Sequence, residues 1–140
     1  NNEHRKWVEK LSKRMGYKTV VLPFATRDYY WGDKQVFEAG PQEYLSLIHD
    51  AKIVCTDSYH GMLFSLNFNK DFFSFLRFKE EDSLNQNSRV LNLLENLDLK
   101  NRIVDLNLKD EYKPINWESV NLSVAGERGK SMIFLKESLT

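Results

Sequence analysis

Apolar residues recur along this chain at spacings that alternate between those of helices and those of strands. Residues 1–16 place apolar side chains every three or four positions, which predicts an amphipathic helix closed by a glycine. The apolar segment 18–23 predicts a strand, and residues 24–40 predict a loop. A second helix is expected over residues 41–51, because proline is common in a first helical turn.

The same alternation continues through the rest of the chain. Residues 52–56 (KIVCT) are an apolar run without alternation, which is typical of a strand covered on both faces. The elements expected next are a helix at 58–69, a strand at 71–76, a polar loop at 77–87, an amphipathic helix at 88–99, a short strand at 101–106 and a helix at 117–139. Gly126 and Gly129 weaken the last helix by about 1 kcal/mol each relative to alanine, which allows a break there.

Alternating strands and helices predict an α/β fold. We expect a Rossmann-like parallel sheet with helices on both faces, in one domain over residues 1–140 that the helix 117–139 closes. The aromatic residues of the strand at 71–76 are expected in its core. Because no initiator methionine and no strand precede the first helix, we also expect this domain to come from a longer protein.

Composition narrows the classes of function. Apolar residues make up 41% and charged residues 29% of 140 residues, which is typical of a globular domain. Twenty basic residues balance twenty acidic ones, so no net field favours nucleic acid or anionic lipid. No apolar stretch approaches the ~18 residues of a membrane span. A single cysteine, Cys55, in an apolar run favours a cytoplasmic setting.

The densest polar chemistry lies between the predicted strand 52–56 and the helix that follows, in the segment CTDSYHGM at residues 55–62. In open α/β sheets ligands bind at this edge, and a helix start offers unpaired N–H groups to an anion. Asp57 or Ser58 would be the N-cap, and the polar side chains would surround the remaining donors. The geometry suits a phosphate or a carboxylate. The residues expected to bind it are Thr56, Asp57, Ser58, His60 and Gly61, the glycine by letting a ligand approach the backbone.

Simpler interpretations of this segment stay open. Thr-Asp-Ser before an apolar helix can serve capping alone, and a histidine in a first turn is often a surface residue. Cys55, Ser58 and His60 do not form a convincing nucleophile set, because residues this close in sequence rarely align as nucleophile and base. The three histidines have no metal-ligand spacing, so no metal site is predicted.

Residues 40–75, GPQEYLSLIHDAKIVCTDSYHGMLFSLNFNKDFFSF, resemble the C-terminal half of the polysaccharide pyruvyl transferase family. That family shows a Gly-Pro before a helix, then a Thr-Asp-Ser-Phe-His-Gly run and an FNKPF-like start of a strand. Here Tyr59 replaces the usual Phe and Asp71 the usual Pro. The later SRVLNLLENLDLKNR is similar to the family's Arg-containing leucine helix, so that the resemblance covers roughly residues 18–140.

The resemblance implies the C-terminal half of a two-domain, glycosyltransferase-B-like enzyme, whose missing N-terminal half forms the other wall of a cleft. It implies transfer of the enolpyruvyl group of phosphoenolpyruvate to a sugar or lipid-linked oligosaccharide, as a ketal, for a cell-surface polysaccharide, with no organic cofactor. His60 would lie at the donor site, either as a phosphate-binding cation or as a proton shuttle. The location would be cytoplasmic, or peripheral at the inner face of the cell membrane.

Two further groups of residues have two interpretations each. The match of Arg89 to the family's Arg favours a second anion-binding residue, and a surface salt bridge is the alternative. The loop 24–40 offers side chains that could bind an acceptor sugar, or pack against the N-terminal half. Its candidate acceptor-binding residues are Arg27, Asp28, Tyr30 and Trp31. A nucleotide-sugar glycosyltransferase and a non-catalytic polysaccharide-binding domain stay open as other functions of the same architecture.

Overall fold

The computed structural model describes residues 2–76, 86–107 and 112–140. Most of the loop predicted at 77–87 lies outside these residues. The helices are α1 (Asn2–Met15), α2 (Pro41–Asp50), α3 (Tyr59–Asn67), α4 (Gln86–Asn96) and α5 (Trp117–Leu139), and the strands are β1 (Val20–Val21), β2 (Lys34–Gln35), β3 (Ile53–Thr56) and β4 (Asp71–Ser74). Short 3-10 turns occupy Thr26–Asp28 and Lys100–Arg102.

All five predicted helices are confirmed, and their ends follow from local sequence. Gly16, the glycine that closes α1, has a φ of +68°, a left-handed conformation that favours glycine. Pro41 is the first residue of α2, where its missing N–H costs nothing. The break allowed at Gly126 and Gly129 is wrong, since α5 continues through both glycines. A Cβ at either would meet no atom within 4 Å, so no packing contact bends the helix there.

The strands form two small parallel pairs. β1 pairs with β2, with Val20 opposite Lys34, and β3 pairs with β4, with Thr56 opposite Ser74. The predicted α/β class and parallel pairing are therefore confirmed. Each sheet among the described residues has two strands, so a larger Rossmann-like sheet stays a prediction.

Two expectations about strands need correction. The loop predicted at 24–40 contains β2, whose two polar residues give no apolar signal. The strand expected at 101–106 is reduced to one parallel bridge between Ile103 and Ser74, because a 3-10 turn occupies the preceding residues. Residues 52–56 were expected to form a strand covered on both faces, but β3 is only half-buried. The strand whose residues are all buried is β4.

Helices cover both faces of the β3–β4 pair. Phe72 lies on one face, fully buried with Met62 of α3 and Leu94 of α4. Phe73 and Phe75 are also buried, and the ring of Trp7 in α1 packs edge-on against both. The prediction of these three phenylalanines as core residues is confirmed. Because neighbouring residues of a strand face opposite sides, β4 joins α1 to the core of the other helices.

Only the first part of α5 packs on this core. Val120 is buried and Val124 is half-buried against the same cluster. From residue 125 onwards every residue of α5 is exposed, including the apolar Met132, Leu135 and Leu139 of the predicted helical pattern.

A buried carboxylate at the start of β4 joins the sheet to the segment before α5. Asp71 is 8% exposed and accepts hydrogen bonds from the Tyr112 hydroxyl (2.6 Å), the Trp117 Nε1 (3.0 Å) and the Ile115 N–H (3.3 Å). Arg102 is buried nearby, and burial lowers its pKa while the Asp71 charge acts in the opposite direction. These contacts stabilise the packing of residues 112–117 on the sheet.

Candidate functional site

The turn between β3 and α3 is built by short polar side chains. Ser58 is the N-cap of α3, with extended backbone angles, and its Oγ accepts a 3.4 Å hydrogen bond from the Gly61 N–H. Thr56, the last residue of β3, accepts a 3.0 Å hydrogen bond from the Ser58 N–H through its Oγ1. Of the two N-caps that the sequence allows, Ser58 is therefore the one used, and Asp57 is exposed beside it.

The first turn of α3 keeps unpaired backbone donors. The N–H groups of Tyr59 and His60 form no hydrogen bond with any described residue. They lie at the positive end of a nine-residue helix, where an anion is stabilised. The His60 side chain is exposed, with its ring 6.1 Å from that of Tyr59. The predicted strand, turn and helix are confirmed, with His60 in the first turn and outside the core; a cleft in front of it stays a prediction.

Gly61 is buried because three elements meet at its α-carbon. A Cβ there would lie 2.6 Å from Oγ1 of Thr56 and 3.0 Å from the hydroxyl oxygen of Tyr44 in α2. Both distances are too short for normal packing. The glycine therefore allows close packing of α2 and β3 against α3, and its own N–H is already bonded to the Ser58 side chain.

We expect Gly61→Ala to lower the free energy of unfolding by about 1–3 kcal/mol, the usual cost of overpacking. The new methyl group must displace the Thr56 and Tyr44 side chains. Gly126→Ala in α5 is the matched control, because open space surrounds that position, and it should stabilise by up to about 1 kcal/mol. Urea denaturation of both variants measures the difference; equal effects of the two substitutions would contradict this role of Gly61.

A second histidine lies beside the turn. The His4 ring of α1 stacks on Phe75 with centroids 4.3 Å apart, and Phe75 donates a backbone hydrogen bond of 2.9 Å to the Thr56 carbonyl. Burial lowers the pKa of His4, while the Asp57 carboxylate acts in the opposite direction. The α1 helix thus adds a half-buried imidazole to this edge of the sheet. The sequence pattern of α1 does not indicate that His4 lies beside the β3–α3 turn rather than in the core.

Cys55 in β3 has the properties of an unreactive thiol. Burial raises the pKa of its thiol to about 12, so it is protonated at neutral pH. The weak case for a nucleophile in this segment is thereby weakened further.

The candidate acceptor residues of the loop fall into two groups. Asp28 forms an ion pair with Arg5 of α1 and accepts from the N–H groups of Phe24 and Ala25, bonds that lower its pKa. Trp31 also contacts α1, through its Nε1 to Glu9 at 2.8 Å. These two side chains hold the loop against the domain itself.

Arg27 and Tyr30 are exposed, Tyr30 at 95%. Arg89 is exposed on α4, and no hydrogen bond or ion pair joins it to another described residue.

Of the predicted site residues, the structure brings Thr56, Ser58, His60 and Gly61 together in one turn. Their proximity to Arg89 or to the loop stays a prediction.

An open depression lies elsewhere, between the end of α1 and residues 31–33, with a volume of about 490 Å³. No group of His, Cys, Asp and Glu side chains among the described residues is arranged to hold a metal ion. Within the same residues, no helix has the length and apolar character needed to cross a bilayer.

Comparison with protein families gives one match. The family model for polysaccharide pyruvyl transferase matches residues 1–77, more than half of the chain and the whole of the β3–α3 turn. The chain belongs to this family. The match includes α1, which the resemblance had left out, and ends just after β4, so the family likeness of residues 78–140 stays a prediction. No curated protein and no solved structure matches this chain.

Proposed function

We propose that this protein is a pyruvyltransferase that uses phosphoenolpyruvate and forms a ketal on a sugar of a cell-surface polysaccharide precursor. The observation that supports the proposal is the family match, because it spans a turn in which unpaired helix N–H groups and an exposed histidine occur together. Phosphoenolpyruvate has a phosphate and a carboxylate, and either suits a helix N-terminus.

The reaction moves protons at three atoms of the substrates. The methylene carbon of the donor takes a proton, and a sugar hydroxyl adds to the neighbouring carbon and loses its proton. A second hydroxyl of the sugar then forms the second C–O bond of the ketal while the bond from that carbon to the phosphate oxygen breaks, and its proton goes to the departing inorganic phosphate. His60 is the proposed group that moves one of these protons or neutralises the leaving phosphate.

The charges at the turn suggest how donor and acceptor divide the space. The unpaired N–H groups of Tyr59 and His60 favour an anion, whereas the Asp57 carboxylate repels one. We therefore place the donor over the start of α3, with the Thr56 and Ser58 hydroxyls around it. Asp57 faces the acceptor, because a carboxylate accepts hydrogen bonds from sugar hydroxyls.

More distant residues complete the proposal. Arg27 and Tyr30 are exposed and can contact a sugar or lipid-linked oligosaccharide, whereas Asp28 and Trp31 act by holding this loop on α1. Arg89 is a proposed second anion-binding residue.

A glycosyltransferase-B-like N-terminal half, on the cytoplasmic side of the membrane, would supply the other wall of the substrate cleft. The 140-residue chain alone is then expected to bind donor weakly and form no ketal, since both substrates must be held in register.

Ligand-induced stabilisation tests the choice of donor. Phosphoenolpyruvate at 100 times its Kd should stabilise the intact protein by about 2.7 kcal/mol, visible as a raised Tm. Nucleotide sugars at the same concentration should not, and incubation with acceptor should release phosphate and yield an acid-labile ketal. Stabilisation by a nucleotide sugar instead would favour a glycosyltransferase, and binding of polysaccharide without either donor would favour a non-catalytic domain.

A further inference from the structure

The hydroxyl of Tyr44 lies at the proposed donor site, although the residue belongs to the preceding helix. Its oxygen is 3.0 Å from the point where a Cβ of Gly61 would stand, and the same point is 2.6 Å from Oγ1 of Thr56. Tyr44 thus reaches the first turn of α3 from α2. The aromatic ring is half-buried and packs edge-on against Phe64, with centroids 6.1 Å apart, so the hydroxyl is held in place by its ring.

This hydroxyl has no hydrogen-bond partner among the described residues. A half-buried tyrosine normally finds a partner for its O–H, and one that lacks a protein partner is available to a ligand. Burial and the nearby Asp57 carboxylate both raise the pKa of Tyr44, so the group keeps its proton and acts as a hydrogen-bond donor. A neutral donor at Gly61, in the turn that also contains the unpaired N–H groups, adds to an anion site without adding charge.

We infer that Tyr44 is a substrate-positioning residue, whose hydroxyl donates a hydrogen bond to the anionic group of the donor at the start of α3. The inference rests on the proposed function and extends it to a second helix. It also gives Gly61 a functional reason: any larger residue there would push the Tyr44 hydroxyl away from the turn.

Tyr44→Phe in the intact protein tests this role, because it removes one oxygen and leaves the ring packed against Phe64. The KM for phosphoenolpyruvate should rise about tenfold, the scale of a hydrogen bond to a charged group, with a smaller change in kcat. The Tm should stay the same, since the hydroxyl has no protein partner to lose. Tyr17→Phe is the matched control; Tyr17 is also partly exposed, lies beyond the far end of α1, and should leave both constants unchanged.

The outcomes separate the two claims. If the parent protein neither binds phosphoenolpyruvate nor forms a ketal, the proposed function fails, and this inference fails with it. If the parent is active and Tyr44→Phe has a normal KM, the inference alone is overturned. A lowered Tm with kcat and KM changed in equal proportion would show a merely structural role and would also overturn it.

Discussion

Replacement of His60 by alanine is expected to lower pyruvyl transfer by the intact protein roughly 100-fold or more, the usual scale for losing a general acid–base group. The side chain is exposed on the first turn of α3, with its ring 6.1 Å from that of Tyr59. Its removal therefore costs little packing, and the free energy of unfolding should change by less than about 0.5 kcal/mol. Initial rates of ketal formation, together with urea denaturation, measure both quantities.

His49→Ala is the matched control for that substitution. His49 is an exposed histidine of α2, 2.9 Å from the Asp50 carboxylate, and its ring packs on Phe68 at the C-terminal end of α3, the end opposite to the first turn. Its replacement should leave the rate of transfer unchanged. Near-normal transfer by His60→Ala, or equal losses in both variants, would remove His60 from the mechanism.

Asp71→Ala is expected to have the largest effect on stability, a loss of about 3–5 kcal/mol. The substitution leaves the Tyr112 hydroxyl, the Trp117 Nε1 and the Ile115 N–H without their acceptor. It also leaves the guanidinium of Arg102, only 3% exposed, without the nearby negative charge.

Asp50→Ala controls for the loss of a carboxylate as such. The Asp50 side chain is 79% exposed, so its removal should change the free energy of unfolding by less than about 0.5 kcal/mol. Urea denaturation of the two variants under the same conditions gives the comparison. A loss below about 1 kcal/mol for Asp71→Ala would show that its hydrogen bonds contribute little to the packing of residues 112–117.

Much of the fold follows from local rules that act within a few residues. The apolar spacing of α1 and α4, the proline that opens α2 and the glycine that closes α1 each predict an element by short-range physics. The N-cap of α3 is of the same kind, because Ser58 bonds to an N–H three residues away. This explains why the turn could be located from the sequence as a candidate site.

What the sequence left open depends on contacts between distant segments. β2 exists because Lys34 and Gln35 pair with β1, although neither residue has a strand-like apolar pattern. Asp28 bonds to Arg5, 23 positions away, which no loop pattern indicates. Tyr44 reaches the first turn of α3 because of how α2 packs on α3, a contact that the spacing of apolar residues within α2 does not indicate.

The most direct test of the account is to map phosphoenolpyruvate binding by amide NMR on the isotope-labelled protein, one residue at a time. The largest shifts with added phosphoenolpyruvate are expected for the Tyr59 and His60 amide signals, because these unpaired N–H groups would bond to the donor, with a smaller shift for Gly61, whose N–H is bonded to Ser58. The shifts should saturate with a single Kd and should be weaker in His60→Ala. Shifts confined to the depression lined by Tyr17, Lys18 and Asp33, or no shifts at all, would contradict a donor site at the start of α3.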